Sequence, residues 1–118
     1  MLKAAFATIV VADIEQSLGF YITTLGLTAG ASHDDFAFVH APGVTIGLHA
    51  KAGHDKNSPR GNLSIGFEVE DMESATRQLT ARGVEFQRFE NKEAKFALFS
   101  DPDGAPLYLI ESKTPNRA

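Results

Sequence analysis

Four histidines are the first candidates for chemistry in this 118-residue chain: His33, His40, His49 and His54. Neutral imidazoles joined by a carboxylate can hold Zn, Ni, Fe or Mn. Their placement argues against a designed site. His40 and His49 end opposite arms of one short hairpin, about a strand's length apart, and His54 follows in a loop. They read as solvent-facing or hydrogen-bonded side chains, with His49 kept as a candidate for ligand binding or acid–base work. Glu68 sits in the apolar run 63–69, where a carboxylate in apolar surroundings could act as a base. Tyr108 joins an apolar ring to a hydroxyl able to donate to a ligand oxygen. Thr8, Thr45 and Ser64 add small hydroxyls, but the sequence sets no histidine beside one to activate it as a nucleophile. The absence of cysteine excludes a thiolate nucleophile, thiolate metal ligands and a disulfide framework. Asp101-Pro102-Asp103-Gly104 reads as a turn that sets the register of the last strand, not as a pair of catalytic acids. Gly43, Gly47 and Gly66 form no phosphate loop, because no Lys-Ser/Thr pair follows and no helix starts there.

These residues need elements to hold them. Residues 6–11 are apolar and β-branched and predict a strand. Asp13, with Gln16 at capping-box spacing, starts a helix that carries Ile14, Leu18, Tyr21 or Ile22, and Leu25, and Gly26 ends it. Residues 35–40 and 44–49 predict a hairpin with a three-residue turn, Ala41-Pro42-Gly43. Residues 50–62 hold almost nothing to bury and read as a linker, the natural lid or rim of a site. Strands at 63–69, 84–89, 95–100 and 107–111 surround a second helix capped by Asp71 and closed by Gly83. Phe36, Phe38, Phe86, Phe89, Phe96 and Phe99 crowd these strands, and core packing is the expectation for each.

Composition narrows the class. Apolar residues make up 43% and charged residues 22%, as in an ordinary globular domain. Eleven basic against fifteen acidic residues give a net charge of −4 with no Lys/Arg run, so nucleic acid and anionic membranes are poor partners. No apolar stretch is long enough for a membrane span, and the start lacks a signal peptide's layout. The expectation is a cytoplasmic domain.

The two halves superimpose. Val11-Ala12-Asp13-Ile14-Glu15 matches Val69-Glu70-Asp71-Met72-Glu73 with an offset of 58, and each half reads strand, helix, then further strands. The chain therefore looks like a tandem repeat of a βαβββ unit. Three motifs sharpen this: residues 9–21 with Leu25-Gly26-Leu27, Ile65-Gly66-Phe67-Glu68-Val69-Glu70-Asp71, and Phe99-Ser100-Asp101-Pro102-Asp103-Gly104 followed by residues 107–111. In this order they resemble the vicinal oxygen chelate superfamily, which holds glyoxalase I, extradiol dioxygenases, and the fosfomycin and bleomycin resistance proteins.

The resemblance implies one α+β domain over 1–118, with module one at about 4–49, the linker at 50–62 and module two at about 63–112. It implies an open, cup-shaped mixed sheet with helices on the convex side and the site on the concave side. With a side-chain period of two, Phe6, Thr8, Val10, Ala37, Val39, Thr45, Gly47, His49, Ser64, Gly66, Glu68, Tyr108 and Ile110 would face the cup. Metal-dependent members take ligands from the first, fourth, fifth and eighth strands. Here those positions fall on Phe6, Gly47, Ser64 and Tyr108, which do not form a set of good ligands. The reading is a protein with no metal and no cofactor that sequesters a small organic ligand in the cup, pairing as a homodimer. The ligand-binding residues expected are Phe6, Thr8, Val39, Thr45, His49, Ser64, Glu68 and Tyr108, with none assigned to catalysis. The alternative is a glyoxalase- or dioxygenase-like enzyme using a divalent metal, or Glu68, His49 or Tyr108.

Overall fold

The computed structural model describes residues 1–51 and 63–113. The predicted lid at 50–62 therefore lies outside the described residues, apart from its first two positions, and so does His54. The elements are β1 (Phe6–Val11), α1 (Ile14–Leu18), β2 (Thr28–Ser32), β3 (Phe36–Ala41), β4 (Val44–Ala50), β5 (Ile65–Glu68), α2 (Met72–Ala81), β6 (Gln87–Glu90), β7 (Ala94–Ser100) and β8 (Pro106–Ser112). They fall into two compact units. The first is Met1–Pro59 with Pro102–Gly104, and the second is Arg60–Asp101 with Ala105–Ala118. The first holds a sheet in the order β1-β4-β3-β2 and the second a sheet in the order β5-β8-β7-β6. In each, the outer first strand runs parallel to the last, and the remaining pairs are antiparallel. This is the βαβββ order twice, in an α+β fold with mixed sheets.

Local chemistry explains the shared start of each unit. Asp13 Oδ1 accepts from the backbone N–H groups of Glu15 and Gln16 at 2.9 and 3.3 Å. Asp71 Oδ1 accepts from those of Glu73 and Ser74 at 3.0 and 3.3 Å. Both aspartates satisfy donors that a helix start leaves orphaned. The first helix does not run on as expected. After Leu18 it widens into a π-helical turn, Gly19–Thr24, where Leu25 N–H donates to the Phe20 carbonyl at 2.9 Å, five residues back. The second helix stays regular. It ends where Val84 N–H donates to the Leu79 carbonyl at 3.0 Å around Gly83, whose φ of 95° suits glycine.

Each helix packs on one face of its own sheet, α1 on β3 and β4, and α2 on β7 and β8. The covered face of the first sheet buries Val11, Ala37, Val39, Ile46 and Leu48, with Tyr21 from the π-helical turn. The second buries Ala97, Leu107 and Leu109 with Met72. Each large side chain fully withdrawn from water contributes about 1.5–3 kcal/mol. Charges frame the second unit. Glu111 Oε1 accepts from Met72 N–H at the start of α2 at 2.6 Å. Arg88 donates to Glu73 at 2.8 Å, which holds that carboxyl below the usual range by hydrogen bonding and then by charge.

Four expectations change. The βαβββ repeat implies β2 without placing it; its residues are Thr-Ala-Gly-Ala-Ser, too small to signal a buried face, and pairing with β3 makes it a strand. The strand expected at 84–89 begins only at Gln87, because Val84 turns into the core and Phe86 packs against Phe99 at 5.3 Å. The strand expected at 63–69 begins at Ile65, which leaves Ser64 outside the ladder. The hairpin turn is Pro42-Gly43, since Ala41 pairs with Val44. That one-residue difference reverses the facing of β3. Among the described residues, no helix is long and apolar enough to cross a membrane.

Candidate functional site

The face of each sheet turned away from its helix is where ligand chemistry was expected, and each unit builds its own. In the first, the ladder sets Phe6 beside Thr45, Thr8 beside Gly47 and Val10 beside His49. Across β3, Phe36 meets His49, Phe38 meets Gly47 and His40 meets Thr45. Partners in register share a face. Rings dominate it: Phe6 and Phe38 are 5.9 Å apart, and Phe36 and Phe38 are 5.0 Å apart, edge to face. Phe36 also leans on His49 at 5.7 Å. Gly47 is the floor. A Cβ there would come within 3.0 Å of the Phe36 ring and 3.1 Å of Thr8 Oγ1.

The polar groups of this face are few. His40 Nδ1 and Thr45 Oγ1 share a hydrogen bond of 3.0 Å. His49 Nε2 lies 3.9 Å from Asp35 Oδ2, an ion pair when the ring is protonated. His33 is exposed, and its backbone N–H donates to the Phe36 carbonyl at 2.7 Å. Phe6, Thr8, Thr45 and His49 thus share one face. Val39 does not join them. It is 0% exposed, pairs with Ile46 and, like Ala37 beside Leu48, belongs to the helix-covered face. The reason is the shorter hairpin turn, which brings Phe36, Phe38 and His40 to the open face instead.

In the second unit, Gly66 pairs with Tyr108 and Glu68 with Ile110. Leu98 meets Tyr108, Phe96 meets Ile110 and Phe89 meets Phe96. Phe89 and Phe96 stack at 4.7 Å with a 12° tilt, and Phe96 lies 6.2 Å from Tyr108. Four phenylalanines expected in the core therefore line open faces, while Phe99 is buried and Phe86 is half-buried against it. Glu68 is exposed. A Cβ on Gly66 would overlap the Tyr108 ring. Gly66→Ala therefore displaces that ring into solvent. In a Tyr21→Phe background, where Tyr108 is the one remaining tyrosine, iodide quenching of its fluorescence rises; unchanged quenching would refute the contact. Away from this face, a hollow of about 530 Å³ lies between α2 and residues 84–88, but Glu73 already engages its Arg88.

The positions implied for a metal do not fit one. Phe6 and Gly47 carry no donor atom, Ser64 is a poor ligand at neutral pH, and the Tyr108 ring lies against Gly66. Among the described residues no three of His, Cys, Asp or Glu gather closely enough to hold an ion.

A family model described as Glyoxalase/Bleomycin resistance protein/Dioxygenase superfamily matches residues 3–109. Among solved structures, the chain is similar to a member of that superfamily from Sphaerobacter thermophilus, at 28% identity and TM-score 0.74 over 94% of this chain and 98% of that one. It is similar to TnmS3, an antibiotic binding protein from Streptomyces, at 23% identity and TM-score 0.74 over 96% and 99% of the two chains. A fosfomycin resistance protein from Listeria monocytogenes gives 19% identity and TM-score 0.78 over 94% and 93%. At these last two identities the likeness is one of fold. No curated protein matches the chain.

Proposed function

We propose, for a chain that belongs to the Glyoxalase/Bleomycin resistance protein/Dioxygenase superfamily, that it binds a small organic molecule without a metal and holds it rather than transforming it. One observation carries this reading: the open faces are lined by aromatic rings where metal-dependent relatives would need donor atoms. A metal in this fold would act as a Lewis acid on substrate oxygens, and that chemistry requires imidazole or carboxylate ligands. Phenylalanine, glycine and serine do not supply them. Apolar concave surfaces with a few polar groups are the usual makings of a small-molecule site. Similarity to an antibiotic binding protein supports the same direction.

We also propose that the chain pairs with a second copy. Leu63, Phe89 and Leu98 are large apolar side chains left 83%, 48% and 37% exposed, and sedimentation would report the pairing. The lack of cysteine suits a reducing cytoplasm.

Elemental mass spectrometry tests the central claim. The protein is purified without a histidine tag or chelator and soaked in turn with Zn, Ni, Mn and Fe(II). No ion is expected to remain near one per chain. Stoichiometric retention would overturn the reading and favour glyoxalase- or dioxygenase-type chemistry.

A further inference from the structure

We infer that the open face of the first unit takes a flat aromatic molecule that carries a hydrogen-bonding oxygen. This rests on the metal-free binding reading and narrows its ligand. Phe6, Phe36 and Phe38 supply the shape. Their rings are mutually tilted, at 46° and 66°, and Phe6 is 61% exposed, so ring surface is left uncovered. A flat ring system stacks on or edges against such rings, whereas a puckered one of equal area loses that geometry.

Thr8 supplies the oxygen's partner. Its Oγ1 faces the Gly47 floor, where no side chain intervenes. The other threonine hydroxyl on this face is already taken by His40. Among the described residues the Thr8 hydroxyl has no partner, and its residue is exposed. A hydroxyl both donates and accepts, so a phenol or an aryl carbonyl suits it. His49 and Asp35 stand at the edge of the same face, 3.9 Å apart.

The test uses 1-naphthol, naphthalene and decahydro-1-naphthol, followed by calorimetry and by amide shifts in nuclear magnetic resonance. 1-Naphthol binds with shifts at Thr8 and Gly47, about fivefold more tightly than naphthalene and about tenfold more tightly than its saturated analogue. Thr8→Val brings 1-naphthol to the affinity of naphthalene and leaves naphthalene unchanged. Phe6→Ala, at an exposed position that the fold does not need, weakens both by about fivefold. Equal binding of the saturated compound or indifference to Thr8→Val overturns the inference. If 1-naphthol leaves Thr8 unshifted while other small molecules stabilise the metal-free chain, this ligand class falls and the binding reading stands. Retention of about one ion per chain in the elemental analysis would remove the binding reading itself.

Discussion

Asp103→Ala lowers the melting temperature by about 5–15 °C, corresponding to about 1–3 kcal/mol for a buried hydrogen-bond partner removed. Asp103 is 1% exposed, although its sequence neighbours mark a surface turn. Its Oδ1 accepts from the backbone N–H of Ala12 at 2.9 Å, within the first compact unit. That N–H lies between the end of β1 and the Asp13 cap, where no ladder partner serves it. Alanine leaves the donor without its acceptor. An asparagine side chain keeps an amide oxygen at the same place, so Asp103→Asn loses less than half as much. The neighbouring Asp101 Oδ1 accepts from Ala105 N–H at 2.8 Å and closes the turn locally. Asp101→Asn therefore shows a smaller drop than Asp103→Ala. Thermal unfolding of the three variants checks the order. Equal losses for Asp103→Ala and Asp103→Asn would mean that the Ala12 bond contributes nothing.

Leu48→Ala costs about 3–5 kcal/mol, a large share of the 5–15 kcal/mol that keeps a domain folded. Leu48 is 0% exposed at the centre of β4, flanked in register by Ile9 and Ala37 under α1. Its truncation leaves a cavity that β-strands fixed on both sides cannot collapse to fill. Leu98→Ala, at 37% exposure on the open face of the other sheet, costs far less. Urea titration separates them through the midpoint, with the slope expected to stay the same. A small loss for Leu48→Ala would mean that the facing of β4 is reversed.

The facing of strands is also where the sequence was hardest to read. Both helix starts were legible because an aspartate before a periodic run has one local job, and Asp13 and Asp71 do it identically. The repeat was legible for the same reason. β3 was not, because Phe36-Ala37-Phe38-Val39-His40 offers apolar residues to either face. Its side was decided by turn length alone, and Pro42-Gly43, with φ of 86° at the glycine, forms a turn one residue shorter than expected. Thr45 and His49 lie on β4, whose parity follows from β1, so their side of the sheet was legible. Phe36 and Phe38 could have been found from one signal: a face containing Gly47 needs large neighbours to cover it. The widening of the first helix at Gly19 left no trace in apolar periodicity, since Tyr21 is buried in either geometry.

The glycines beneath the open faces have a bearing on how the two halves could have drifted apart after duplication. By the repeat, Thr8 corresponds to Gly66; by the ladders, Gly47 corresponds to Tyr108. Each pair of parallel strands keeps one small and one larger residue at this crossing, but on opposite strands. From an ancestor with identical halves, the order of changes was constrained, because a side chain at 66 meets the Tyr108 ring. Position 66 had to be glycine before 108 could carry a ring packed over it. In descendants of this chain, a side chain at 66 is expected only where 108 has already become smaller.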